Sequence, residues 1–204
     1  MMDWMATAQR NPNARMTGGV YLLYFLTAIL AQFLTGRKFV AFGDAMNLIA
    51  TTFYAALTLL FYSMFKPVNR NLSLIAAIFS LAGCAVMTLG QFDFAPLSMS
   101  PLLFFGPYCL LIGYLIFRST FLPRVLGVLM ALAGLGWLAF LFPAVAHKLS
   151  AYIEVLGVVA EASLMLWLLV KGVNVERWNE QAGAAGRFPS IDASVQAHRH
   201  REAI

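Results

Sequence analysis

The sequence predicts an all-α membrane protein: a polytopic transmembrane bundle of six spans with both termini in the cytoplasm. Three observations predict it. Of 204 residues, 61% are hydrophobic and 11% charged, where soluble domains average about 45–50% and about 25%. The apolar residues gather in six runs, each near the roughly 20 residues that cross hydrocarbon as a helix. Lys and Arg then fall mostly on alternate loops, as the positive-inside rule requires. The mean hydropathy is +0.76.

The runs cover residues 16–34, 45–65, 72–91, 101–117, 123–142 and 150–170. Strands are disfavoured because no run alternates apolar and polar residues. Helices remain, since lipid offers no partner for open backbone groups. The first run follows Arg10 and Arg15 like a signal peptide, but it has no convincing small-x-small cleavage site and reads as a retained span. Pro67 and Asn69 break the chain after the second run, and Pro123 opens the fifth. Trp167, one turn before Lys171, suits a membrane boundary.

Eleven of the 14 Lys and Arg lie in one set of segments: Arg10, Arg15, Lys66, Arg70, Arg118, Arg124, Lys171, Arg177, Arg187, Arg199 and Arg201. Only Arg37, Lys38 and Lys148 lie in the other. This bias places both ends in the cytoplasm and the protein in a bacterial inner membrane. Residues 1–15 then form a cytoplasmic N-terminal segment, 16–171 the six-helix domain and 172–204 a cytoplasmic tail. That tail is expected to be largely disordered beyond a helical stretch near Trp178. The net charge of +5 follows the loops, with no basic patch interleaved with stacking aromatics, so nucleic acid is not expected as a partner.

Cys84 and Cys109 sit within apolar runs and read as packing residues. His198 and His200 lack thiol or carboxylate companions, so no metal site and no cofactor are expected. Small residues recur on one face of the third run (Gly83, Gly90) and of the fifth (Gly127, Ala131, Gly134), where they permit close helix approach. They serve packing within the chain or a homo-oligomer. A weak internal likeness joins Tyr62–Lys66 to Tyr114–Arg118, each ending a run before a basic turn.

Three ordered motifs carry a family resemblance. The fourth and fifth runs read Gly113-Tyr114-Leu115-Ile116-Phe117-Arg118-Ser119 and Leu122-Pro123-Arg124-Val125-Leu126-Gly127. The last ends Leu166-Trp167-Leu168-Leu169-Val170-Lys171-Gly172-Val173, and the second ends Phe65-Lys66-Pro67-Val68-Asn69-Arg70. Together they resemble the bacterial membrane family called domain of unknown function 4386, over roughly residues 15–173. The chain is short for that family around the third loop. The resemblance implies a multi-span inner-membrane protein and brings no activity or cofactor with it.

Glu161 is the residue of greatest chemical interest. It lies near the middle of the last run, where a charge costs from roughly 3 kcal/mol upwards unless a role or a partner offsets it. Glu154 lies two turns earlier on the same face, so a shallow and a deep carboxylate share one stripe. Such a stripe suits binding a cation or relaying a proton. Thr51, Thr52, Tyr54 and Thr58 on the second run are its expected polar partners within the bundle. Asp44, after Arg37 and Lys38, reads as a helix cap or as part of an external vestibule with Arg37. No histidine lies in a run to act as an embedded base, and the chain has no G-x-x-x-x-G-K loop. No catalytic residue is therefore assigned.

Three readings stand. The leading one is a non-catalytic bundle acting through membrane-protein or lipid partners. The alternative is a small cation- or proton-coupled carrier using the glutamate stripe, and the third is a membrane-embedded enzyme. Beyond the lipid bilayer, the expected partners are another membrane protein or a second copy.

Overall fold

A computed structural model describes residues 14–92 and 100–186, without the side chains of 143–147. The third loop, the N-terminal segment before residue 14 and the tail from Arg187, with its His198 and His200, lie outside the described residues.

Seven helices and no strand occur among the described residues. They are α1 (Ala14–Gly36), α2 (Val40–Phe65), α3 (Arg70–Gln91), α4 (Leu102–Arg118), α5 (Arg124–Ala139), α6 (Pro143–Val170) and α7 (Val175–Gly186). The first six correspond to the six apolar runs, though α6 starts seven residues ahead of its run and takes in Lys148 of the expected fifth loop. Four of them, α1, α2, α3 and the Lys148–Val170 part of α6, are long and apolar enough to cross a membrane by length and composition. The apolar helices α4 and α5 are shorter, at 17 and 16 residues.

Local chemistry sets the helix ends. Asn69 caps α3, its side chain accepting from Leu72 N at 3.0 Å. Lys38 ends α1 with φ +67, in the left-handed position usually given to glycine. The amides of Lys38 and Phe39 donate back to Thr35 and Leu34 carbonyls at 3.0 Å each. This tight turn lets α2 begin at Val40, five residues before the apolar run marks it. Asp44 is therefore in the second turn of α2 and does not cap the helix, contrary to the sequence expectation.

The six long helices close into a ring. Each packs on its neighbours in the chain, and α6 returns to α1. Tyr21, Leu57, Phe61, Tyr108, Ile112, Leu115, Met130, Leu164 and Leu168 fill the interior. Leu26, Ile29, Leu59, Ile78, Leu135, Val155 and Leu166 lie exposed on the outside, as the lipid-facing side of a membrane bundle would.

Glycines set the closest contacts. Gly106 and Gly113 of α4 meet Gly134 and Gly127 of α5 in antiparallel register, each glycine seven residues from its mate on the same helix. A Cβ at Gly127 would stand 2.6 Å from the Gly113 carbonyl oxygen. The α5 stripe of small residues is thus used inside the chain. At the seam that closes the ring, Gly18 of α1 lies against the backbone of Leu168 and Leu169 of α6. This contact puts the start of α1 and the end of α6 at the same end of the ring.

The segment after Gly172 (φ +71) docks across that end as α7. Trp178 is 7% exposed, and its Nε1 donates to the Met64 carbonyl at 2.9 Å. Asn174 caps α7 through Arg177 N at 3.0 Å, and Gln181 accepts from the Thr120 amide at 3.2 Å. The turns after α2 and α4 therefore share this end with α7, together with Lys66, Arg70, Arg118, Arg124, Lys171 and Arg177, all exposed.

Two outcomes follow from this packing. Gly127→Ala should destabilise the detergent-solubilised protein by about 1–3 kcal/mol, because backbone opposes the new methyl. Gly90→Ala, with open space around it, should not destabilise it. Equal melting temperatures for the two variants would contradict the glycine-packed hairpin. Trp178→Ala should release α7, so that limited proteolysis cuts after Val173 while the bundle stays intact; unchanged protection would show that Trp178 does not hold it.

Candidate functional site

Residues 154, 158, 161 and 165 recur along one stripe of α6, because they follow each other at three- or four-residue steps. Exposure falls along this stripe: Glu154 and Val158 are exposed, Glu161 is half-buried, and Met165 is 7% exposed. The neighbouring helices explain the gradient. On one side, α5 holds α6 through Ile153 against Gly136 and Trp137 against Gly157. On the other, α1 meets α6 at Gly18, near the basic end. Farther from that crossing, Leu26, Ile29, Leu30 and Phe33 of α1 are exposed, as are Glu154, Val155 and Val158 of α6.

At the inner end of the stripe, Glu161 lies within electrostatic reach of four phenols, Tyr21 and Tyr24 of α1, Tyr54 of α2 and Tyr108 of α4, and of the Cys109 thiol. Tyr21 is placed to donate its hydroxyl to the Glu161 carboxyl. The rings pack on one another as well. Tyr24 and Tyr54 meet edge to face at 4.8 Å between centroids, and Tyr54 meets Phe105 at 5.4 Å and Tyr108 at 6.0 Å. Tyr21 contacts Phe61 at 5.9 Å, nearly perpendicular. Edge-to-face packing of this kind fixes ring orientation, each pair contributing about 0.5–1.5 kcal/mol beyond its area. The interior centre is therefore one carboxyl from α6 set among aromatic rings from α1, α2 and α4.

The polar partners expected from sequence divide. Tyr54 joins this cluster. Thr51 and Thr52 satisfy their hydroxyls on their own helix, donating to the Asn47 and Leu48 carbonyls at 2.8 Å. Thr58 donates to the Tyr54 carbonyl at 2.9 Å and pairs across to Ser80 Oγ at 2.6 Å, which ties α2 to α3. Of the expected vestibule, Asp44 is half-buried, while Arg37 is exposed with its guanidinium over Phe33 at 5.1 Å. No ion pair joins the two among the described residues.

Sequence reading missed Tyr21, Tyr24 and Tyr108. A signal was present, since each lies well inside an apolar run, whereas tyrosines of membrane helices favour the interfacial ends. Among the described residues no group of three metal-ligating side chains occurs.

The chemistry of this centre is that of a single carboxyl able to exchange a proton or to pair with a cation, with phenol hydroxyls to solvate its charged form. Dicyclohexylcarbodiimide, an apolar reagent for protonated carboxyls, should therefore attach to Glu161 and add one adduct per chain. Glu161→Gln should lose that adduct, and labelling of equal extent in this variant would place the reactive acid elsewhere.

Residues 97–172 match the family described as "Domain of unknown function (DUF4386)". The match spans α4, α5 and α6, and with them two of the three motifs that carried the resemblance, apart from the last residue Val173. The segment Phe65–Arg70 lies outside it. An uncharacterised protein of Archaeoglobus fulgidus is 28% identical over 120 residues, covering 54% of this chain and 72% of the relative. No solved structure matches. By residues 97–172, the chain is consistent with a protein of the domain-of-unknown-function 4386 family.

Proposed function

We propose that the protein is a six-span carrier of the plasma membrane, the inner membrane in a bacterium, that binds a proton or another monovalent cation at Glu161. In this reading α4 and α5 also cross, as a glycine-packed hairpin whose basic ends, Arg118 and Arg124, reach up to the headgroups. Both termini lie in the cytoplasm, because the end carrying α7 is also the end rich in Lys and Arg.

One observation carries the proposal: Glu161 is half-buried beside Tyr21, and exposure rises along its stripe through Val158 to Glu154. A carboxyl retained only for packing would need no such path. Glu154, about 10 Å from Glu161 by helical rise, is the first carboxylate a cation meets on this path. Glu161 is the second, where the Tyr21 hydroxyl offsets part of the lost water. The reading in which the bundle acts only through partners explains the lipid-facing surface but assigns no task to the interior acid.

Proteoliposomes loaded with a pH-sensitive dye and given a pH gradient test the proposal. The wild type should dissipate the gradient faster than protein-free vesicles, and Glu161→Gln should reduce this to background. Glu154→Gln should slow it less. Transport by Glu161→Gln at the wild-type rate, or none above background by the wild type, would overturn the carrier reading.

A further inference from the structure

We infer that the corner where the α4–α5 turn meets α7 binds an anionic phospholipid, its phosphate held by Arg118, Arg124 and Arg177 and its acyl chains lying along Tyr114, Phe117 and Val125. The inference uses the six-span placement of the α4–α5 hairpin and is independent of transport at Glu161.

Three guanidiniums reach this corner from three elements. Arg118 ends α4. Arg124 opens α5, and its guanidinium carbon stands over the Phe117 ring, 5.6 Å from the centroid, which brings it back beside the end of α4. Arg177 arrives from α7 and donates through Nη1 to the Thr120 carbonyl at 3.3 Å, in the turn between the other two. Its arrival is fixed by further bonds. The Thr120 amide and hydroxyl both donate to Gln181 Oε1 at 3.2 Å, and the Asn174 amide donates to the Phe121 carbonyl at 3.3 Å. All three arginines are exposed, and among the described residues no carboxylate lies within ion-pair distance of them. Glu176 and Glu180 of α7 itself are exposed and pair with none. Like charges gathered without a counter-charge attract an anion.

The donor type selects phosphate among anions. A guanidinium presents a planar fork of N–H groups that matches two phosphate oxygens, which the point charge of a lysine does not. The Phe117 ring takes the face of Arg124 and leaves its N–H edge free to donate. Arg177 commits one nitrogen to Thr120 and keeps its other donors.

The surroundings select a lipid over a free phosphate. Tyr114, Phe117 and Val125 are each about half exposed or more, and Tyr114 lies one turn before Arg118 on the same face. A soluble phosphate makes no use of this apolar surface, whereas a phospholipid lays its chains on it. Helix length sets the depth. With 17 and 16 residues, α4 and α5 rise roughly 25 Å, against about 30 Å for the hydrocarbon core. Their charged ends are therefore drawn to the level of the phosphates. Because Arg177 belongs to α7, a headgroup shared with Arg118 and Arg124 also clamps α7 to the hairpin, and lipid binding and α7 docking reinforce each other.

Native mass spectrometry of the full-length protein in detergent, titrated with phosphatidylglycerol or with phosphatidylcholine of the same acyl chains, tests the site. The first phosphatidylglycerol should bind at a concentration about tenfold or more below that needed for phosphatidylcholine. Arg118→Gln with Arg124→Gln should remove this preference, whereas Arg37→Gln with Lys38→Gln, at the opposite end of the ring, should keep it. Equal binding of the two lipids by the wild type, or a preference that survives loss of both arginines, would overturn the inference. Inorganic phosphate that displaces the lipid at equal concentration would overturn the lipid as occupant. Phosphatidylglycerol should also slow proteolysis after Val173 in the wild type and not in Arg177→Gln; cleavage unchanged by the bound lipid would overturn the part given to Arg177. Absence of the lipid preference beside Glu161-dependent proton flux would remove this site and leave the carrier reading standing, and the reverse result would remove the carrier alone.

Discussion

A carboxyl at mid-depth among apolar helices is the costliest group in this chain, and the arrangement of the interior follows from accommodating it. Glu161 belongs to α6, but the phenols within electrostatic reach of it come from α1, α2 and α4. No single helical hairpin can supply them. They converge only because the ring closes, which requires α6 to return to α1, and that return depends on the absence of a side chain at Gly18. Local sequence, backbone packing and the chemistry of the site are thus linked through one glycine contact and one acid.

The two ends of the ring differ for physical reasons. At the basic end the helices are drawn together by Gly18, and α7 lies across the turns with Trp178 buried against Met64. At the other end the α1–α2 turn is short and stiff, closed by Lys38 in a left-handed conformation, and α6 leans on α5 through Ile153 and Gly157. α1 and α6 are therefore each held by a different neighbour there. There Glu154 and Val158 are exposed and Glu161 is half-buried.

Much of this architecture was legible in the chain. Six apolar runs mark six helices because no other backbone form hides its polar groups in lipid. Glu161 announced itself as an acid among apolar residues, and the Gly127, Ala131 and Gly134 stripe announced a close helix contact. What was not legible is long-range. The partners of Glu161 lie roughly 50 to 140 positions away, and periodicity within a helix carries no information about which other helix it faces. Threonines seemed suitable partners because their hydroxyls are polar, yet in a helix a threonine satisfies itself on the carbonyl four residues back, as Thr51 and Thr52 do. Asp44 seemed a cap because it stands just before the run that begins at residue 45, but the Lys38 turn starts the helix earlier. The docking of α7 was hidden by its polar composition, although Asn174 as a cap and Trp178 as an isolated large apolar residue were both in view.

The central claim is that water reaches Glu161 along one side of α6 and that lipid covers the other. Single cysteines at positions 154, 158, 159, 161 and 165, in a chain with Cys84→Ala and Cys109→Ala, tested in intact membranes with a membrane-impermeant maleimide, examine it most directly. Positions 154 and 158 should react readily, 161 slowly, and 165 not at all. Position 159, exposed to a similar degree but off the 154–158–161–165 stripe, should stay silent, since in this account it faces lipid. If 158 and 161 are as unreactive as 159, the interior acid has no path to water and the account fails.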